Sequence, residues 1–501
     1  MSRAPEDARR TFVMPADMLA LRWGDNAQGC VLAVLAHRLA ARGCAVHVMR
    51  EDVAGLRAGD YVVAASGPVR RAIAASGIES VDLAGDRARE LLDKADAVHV
   101  PRIAIFGGAA CAYPYLGYYA HSLASLGLPF DVLDGAPVAA GALDAYDLLM
   151  LPGGFETWGL DRNEDTPGID RAIRRFLARG GACIASCGGA FYLSEGRPHW
   201  LGVAQASPRY SHEYLRSGAG LVSIELEPGP LARGCAPLVE MPYYHGPIYE
   251  AVRSPTRSAA RFCALTLPAR LPIDNPLDAA RFAAEMAGKA AILLGGAQSD
   301  GAPRAVLFSP HPEMGDVVRK YIALERYVSA YLPIRGEAVM TQTLDFYEPN
   351  DSPSFRLILN AVQLLCTGRA PAGPQPDTTA GESSEPRGWP DARRRLLTAA
   401  HEALERLVPA DDAMGRLLRR EITRLRALAL SLAEVAAPPS GAGGALRVLE
   451  DAGAGLAAGE PPGTDTRALA QGLLAVELPL RFLEALARQT RCDAGLTLGV
   501  D

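Results

Sequence analysis

Apolar residues recur along this chain in two alternating rhythms. Short apolar runs at 18–21, 45–48 and 61–65 are separated by segments with helical spacing at 29–42 and 68–75. Runs of strand length alternating with helix-length segments predict a small α/β unit over residues 1–98. From Val100 the same alternation strengthens. Strands are expected at 102–106, 130–133, 147–151 and 182–186, and helices at 116–126 and 169–179. Further strand-like runs at 221–226, 258–265, 291–294 and 304–308 precede helical stretches at 316–331 and 354–366. This pattern predicts a parallel α/β domain over 99–370.

Residues 367–390 are rich in Pro, Gly, Ser and Thr and nearly free of large aliphatics. That composition predicts a linker, drawn at 371–392. Beyond it, Leu396, Leu397, Ala400, Leu404 and Leu407 keep helical spacing, as do Leu417, Leu418, Ile422, Leu425 and Leu432. A break at 438–444 precedes a weaker helical segment at 466–488, where Pro479 predicts a kink. Residues 393–501 therefore read as a helical accessory region. Its arginines Arg416, Arg419, Arg420, Arg424 and Arg426 read as a solvated face interleaved with acids.

Composition narrows the partners. The 501 residues carry a net charge of −6, with 49% hydrophobic and 22% charged residues. That balance describes a soluble globular protein and gives no case for nucleic acid or an anionic membrane. No run approaches the ~18 apolar residues of a membrane span. The N-terminal eleven residues lack an apolar core, so no secretory signal is expected. The nine cysteines are scattered, without CxxC or Cys/His ligand spacing. A reducing, cytoplasmic setting is expected, with no metal site and no cofactor.

The strand ends carry the chemistry. Three predicted strands stop at glycine pairs: Gly107-Gly108, Gly153-Gly154 after Pro152, and Gly188-Gly189 after Cys187. In open parallel sheets, ligands gather beyond the carboxyl ends of the strands, so these turns are expected at one edge. A buried strand, a cysteine on a tight turn and a following helix read as a nucleophile elbow at Cys187. The strand at 304–308 leads into His311-Pro312-Glu313. A catalytic thiol needs a base and the base needs an orienting partner; His311 and Glu313 supply both from one loop. Backbone N–H groups at Gly153, Gly154 and Gly188 are candidate oxyanion donors, because glycine lets backbone approach substrate closely. Tyr244 and His245, in an aromatic Gly-Pro turn, are candidate pocket residues. Glu156 and Trp158 are placed to shape access. His37, His47, His121, His199 and His212 read as structural or surface histidines.

These residues carry a family resemblance. Leu151-Pro152-Gly153-Gly154, the cysteine elbow of 182–192, Trp200-Leu201-Gly202-Val203, Tyr244-His245-Gly246-Pro247-Ile248-Tyr249 and the strand ending in Ser309-Pro310-His311-Pro312-Glu313 resemble the class I glutamine amidotransferase-like superfamily. Within it they are most similar to the branch typified by the N-terminal domain of biotin–protein ligases. The resemblance spans about residues 100–370. It implies a flavodoxin-like core and a Cys187–His311–Glu313 triad, with Gly154 and Gly188 at the oxyanion position. Two positions depart from the family pattern: Ala185 stands where a glycine is usual, and Phe191 where true glutaminases carry glutamine. Residues 1–98 followed by this domain also resemble a region of some bacterial zinc carboxypeptidase-like proteins, but no metal-binding HxxE motif accompanies them.

The expected function is a cysteine-nucleophile hydrolase or acyltransferase acting on an amide or related carbonyl of a small-molecule or peptide-like substrate. Two alternatives stand beside it. One is a non-catalytic ligand- or partner-binding module on the same fold. The other is a glutaminase subunit working with a separate synthetase. The helical C-terminal region is the expected surface for a protein partner.

Overall fold

The computed structural model describes residues 17–26, 29–83, 85–154, 159–209, 218–269, 277–297, 301–348, 352–367, 386–438, 441–460 and 462–497. Strands β1 (Met18–Leu21), β2 (Val46–Met49), β3 (Tyr61–Ala64), β4 (Val81–Leu83) and β5 (Ala95–Ala97) form an antiparallel sheet in the order β4-β1-β3-β2-β5. Side chains alternate across a strand. Leu19 and Leu21 therefore join one apolar cluster with Leu32, Leu35 and Ile73, while Met18 and Ala20 join another with Leu83 and Leu91. Burial on both faces explains why β1 reads as a continuous apolar run rather than an alternating one.

The main sheet contains β6 (Ile103–Phe106), β7 (Phe130–Leu133), β8 (Leu148–Leu151) and β9 (Ala182–Ser186). Downstream lie β10 (Ala206–Pro208), β11 (Ala219–Leu226), β12 (Leu238–Tyr244), β13 (Tyr249–Val252), β14 (Arg257–Ala269), β15 (Ala290–Ala297) and β16 (Pro303–Phe308). β10 and β13 pair as a separate ribbon; the others form a nine-stranded sheet, β12-β11-β14-β15-β16-β9-β8-β6-β7. From β7 to β16 the pairing is parallel. Counted in chain order, its parallel strands run 2-1-3-4-5, the flavodoxin-like order. From β16 to β12 the pairing is antiparallel, an extension that the expectation of a parallel sheet did not include. The connections explain it. Only five residues join β15 to β16, too few for the crossover of a dozen or more that a parallel pair requires.

Among the described residues, the C-terminal region holds four helices: Trp389–Arg406, Ala413–Ser431, Ala442–Ala458 and Thr466–Thr497. The first begins inside the segment expected as linker. Buried Trp389 anchors it through Nε1–H to the Val435 carbonyl at 3.1 Å, and Pro390 suits the first turn. Residues 371–385 of the expected linker lie outside the described residues. The last helix continues through Pro479, flanked by buried Leu478 and Leu480. It docks on the helix Tyr115–Ser125, where Gln489 Nε2 donates to the Ala124 carbonyl at 2.6 Å. Its far end reaches the N-terminal unit through an Arg38–Asp493 ion pair of 2.8 Å.

The helical region is therefore built into the core, and part of its basic face is internal. Arg424 pairs with Glu348 at 2.6 Å, Glu477 at 2.7 Å and Glu421 at 3.0 Å. Fully buried Lys320 pairs with Glu348 at 2.6 Å and with Glu421. This corrects the expectation that Arg424 belongs to a solvated face. Arg416, Arg419 and Arg420 do make exposed ion pairs, with Glu337, Asp411 and Asp345. Among the described residues, no helix is long and apolar enough to cross a membrane.

Candidate functional site

β9 ends at Cys187, whose backbone adopts φ +50° and ψ −108°. A side chain in that region costs about 1–3 kcal/mol and persists only when its surroundings enforce it. Two contacts enforce it here. The Cys187 N–H donates to the Phe308 carbonyl at 3.0 Å, tying the elbow to the end of β16. Two residues on, a Cβ at Gly189 would lie 2.5 Å from the Leu151 carbonyl oxygen. Only glycine lets the helix Gly188–Tyr192 leave so close to β8. Ala185 sits in the sheet between Leu151 and Leu307, fully buried, so its methyl is part of the core rather than an obstacle to the turn.

β16 delivers His311 to the same edge. Its N–H donates to the Pro242 carbonyl at 2.8 Å, and its Nδ1 lies 2.8 Å from Glu313 Oε1. Both side chains are buried, each 2% exposed. Glu313 Oε2 accepts from Ser186 Oγ at 2.8 Å, and Ser186 Oγ lies 2.6 Å from Tyr119 Oη. On the other side of the ring, His311 Nε2 lies 3.4 Å from the Tyr244 carbonyl oxygen, and Cys187 Sγ donates to that same oxygen at 3.2 Å. One carbonyl thus faces both thiol and imidazole. Burial alone would lower the His311 pKa. The charge of Glu313 and the hydrogen bonds to Cys187 and Glu313 outweigh burial and push it up to about 10.

The other predicted residues fall as follows. A Cβ at Gly153 would lie 3.1 Å from His311 Cε1 and 3.3 Å from Cys187 Cβ, so bare backbone lines the thiol–imidazole pair. Gly154 follows it, and Gly188 opens the helix after Cys187. Tyr244 contributes its carbonyl, with its ring edge-on to His311 at 6.1 Å. His245 has φ +52°, and its Nδ1 accepts the Gly218 N–H at 3.2 Å. Burial, with His311 nearby, lowers its pKa to about 4, which leaves it neutral at pH 7. Glu156, Trp158 and His212 lie outside the described residues. Phe191 packs on Trp200 at 5.9 Å between ring centroids. His37 bonds the Leu126 carbonyl at 2.7 Å, and His121 packs edge-on to Phe355, both away from the thiol.

Sequence reasoning missed Ser186 and Tyr119. Strand alternation places Ser186 on the face opposite its neighbours Ala185 and Cys187, which was a usable signal for a group beneath the elbow. Tyr119, on a helix after β6, carried none.

Gly246 wedges the turn after β12 against the loop that carries His311. A Cβ there would lie 1.8 Å from the Ser309 carbonyl oxygen. Gly246→Ala is therefore expected to cost about 1–3 kcal/mol and to disturb the Tyr244 carbonyl. Urea unfolding checks this; an unchanged midpoint would contradict so close an approach.

Residues 114–226 match the family model of the CobB/CobQ-like glutamine amidotransferase domain. That amidotransferase-like stretch contains β7, β8, the glycine pair and the Cys187 elbow. Among solved structures, the chain is similar to a glutamine amidotransferase from Thermotoga maritima at 14% identity, covering 54% of this chain and 99% of that one, with a TM-score of 0.34. It is also similar to PurLQS from Thermotoga maritima at 16% identity, covering 53% and 100%, with a TM-score of 0.33. No curated protein sequence matches the chain.

Proposed function

We propose that this protein is a cysteine-nucleophile amidohydrolase or acyltransferase that works through Cys187, His311 and Glu313. The observation that carries the proposal is the arrangement of His311. One ring nitrogen is held by a buried carboxylate, and the other faces the carbonyl that also receives the Cys187 thiol. Cys187 Sγ, as the thiolate paired with a protonated His311, attacks the substrate carbonyl carbon. Backbone N–H groups of Gly153, Gly154 and Gly188 hold the oxyanion. The carbon–nitrogen bond then breaks as His311 Nε2–H protonates the leaving amine. Water, or an acceptor nucleophile, gives its proton to the now neutral His311 Nε2 as it attacks the thioester, and the carbon–sulfur bond breaks to free Cys187. Glu313 fixes the imidazole orientation and offsets its positive charge, and Ser186 with Tyr119 holds Glu313. Tyr244 and His245 wall the pocket.

The match over 114–226 supports amide chemistry. The narrower likeness to the biotin–protein ligase N-terminal type rests on the same five pieces, at 151–154, 182–192, 200–203, 244–249 and 308–313. Phe191, buried against Trp200, offers no polar group to a glutamine side chain, which favours a different amide as substrate. A glutaminase subunit with a separate synthetase remains the second reading, and it predicts activity only when that partner is added. Its docking surface would lie on the exposed faces of the helical region. Nine free thiols support a reducing, cytoplasmic setting.

Incubation with glutamine and a panel of activated amides and esters, followed by acid quench and intact-mass measurement, tests the proposal. The expected result is an acyl adduct on the peptide containing Cys187. Turnover with no adduct on that peptide, or an adduct on another cysteine, overturns it.

A further inference from the structure

Outside the candidate site, a cleft of about 550 Å³ opens between the N-terminal sheet and the antiparallel end of the main sheet. Its polar lining is unevenly committed. Asp60 accepts the backbone N–H groups of Trp23 at 2.9 Å and Arg57 at 2.8 Å, so each carboxylate oxygen is occupied. Glu240 accepts Arg319 Nη2 at 2.8 Å, and the Trp23 indole N–H donates to the Gly59 carbonyl at 2.8 Å.

Two cations are not committed in this way. Arg356, 7% exposed, stacks its guanidinium over Trp23 at 3.6 Å from the ring centroid. Its Nη2 donates to the Gly59 carbonyl at 3.0 Å and its Nε to the Arg233 carbonyl at 3.3 Å, while Nη1 has no partner among the described residues. A Cβ at Gly59 would lie 2.1 Å from Arg356 Nη2, and one at Gly234 2.7 Å, so both positions are cut away to admit the guanidinium. Arg57, exposed at the same cleft, makes no side-chain hydrogen bond or ion pair among the described residues. The carboxylates are spoken for, and the spare hydrogen-bonding capacity of these arginines is donor only. An unmet guanidinium N–H in a buried setting is costly unless an acceptor meets it.

We propose that this cleft is a binding site for a small molecule bearing a carboxylate or a phosphate group. Arg356 Nη1 receives the anion from the floor and Arg57 from the rim. Guanidinium forks suit both anions in this geometry.

Isothermal titration of the full-length protein with inorganic phosphate and, separately, with succinate tests the proposal, at ionic strength matched with sodium chloride. Saturable binding of at least one probe is expected, and which probe binds decides between a phosphate- and a carboxylate-bearing ligand. Arg57→Gln changes an exposed side chain and leaves the Arg57 N–H bond to Asp60 in place; it should weaken that binding about tenfold, the worth of one charge-assisted hydrogen bond. Arg356→Met, if its circular dichroism matches the parent, should abolish binding. Absence of saturable binding by both probes, or binding that Arg57→Gln leaves unchanged, overturns the proposal.

Discussion

Replacing Cys187 by alanine is expected to abolish carbonyl hydrolysis, lowering the rate by at least about 10³-fold, while the fold survives. The size follows from the role proposed for the thiol. Without Sγ there is no thioester route, and the backbone donors can assist only a direct attack by water. Survival of the fold follows from the local contacts. The elbow is fixed by the Cys187 N–H bond to the Phe308 carbonyl and by the close passage of Gly189 past Leu151, neither of which uses the sulfur. Alanine must still accept φ +50°, as cysteine does. The check is steady-state hydrolysis of whichever panel substrate acylates the parent, beside a urea melt. Full activity in Cys187→Ala would remove the thiol from the mechanism.

The second large effect lies far from the thiol. Glu477→Gln is expected to destabilise the protein by about 3–5 kcal/mol at pH 7. Glu477 is fully buried and accepts Arg424 at 2.7 Å, Arg481 at 3.0 Å and the Tyr321 hydroxyl. An amide of the same shape leaves those cations underpaired where water does not reach. Burial by itself would raise the Glu477 pKa, but Lys320, Arg424 and Arg481 together hold it at about 2. A folded-state pKa below the unfolded one means that the unfolded chain binds the extra proton first. Stability from this carboxylate is therefore fully present above about pH 4.5 and is lost as pH falls towards 2. Denaturant melts of parent and variant should differ most near neutrality and converge between pH 4.5 and 2. A gap independent of pH would contradict the charged network.

Much of this was legible in the residues, for identifiable reasons. β6, β8 and β9 are buried on both faces, so they read as short apolar runs ending in glycine, and the turns beyond β8 and β9 meet at one sheet edge as strand polarity requires. Cys187, His311 and Gly153 stood out as candidates because a thiol, an imidazole and a bare backbone are distinctive at strand ends, and the fold places them beside one another. The antiparallel half was less legible, since strand direction is set by connection length rather than by side-chain pattern. The integration of the helical region was hidden for another reason. Glu421, Arg424 and Glu477 look like surface residues by type, and only the packing of the last helix against 115–125 brings them inside. The part played by the Tyr244 carbonyl could not be read at all, because every residue carries one.

The account turns on whether His311, charged through Glu313, governs Cys187. The direct measurement is the rate of iodoacetamide modification of the Cys187 peptide from pH 5 to 9, in the parent and in Glu313→Gln. Burial pushes the Cys235 thiol up to about 11 and raises the Cys183 thiol further, so both serve as slow internal references. Cys187 is expected to be modified faster than both references at pH 7, because the imidazolium beside it favours the reactive thiolate. Glu313→Gln, which removes the charge that holds His311 protonated, is expected to slow that modification about tenfold. Modification of Cys187 no faster than the references, or a rate that Glu313→Gln leaves unchanged, would contradict the thiol–imidazolium pair.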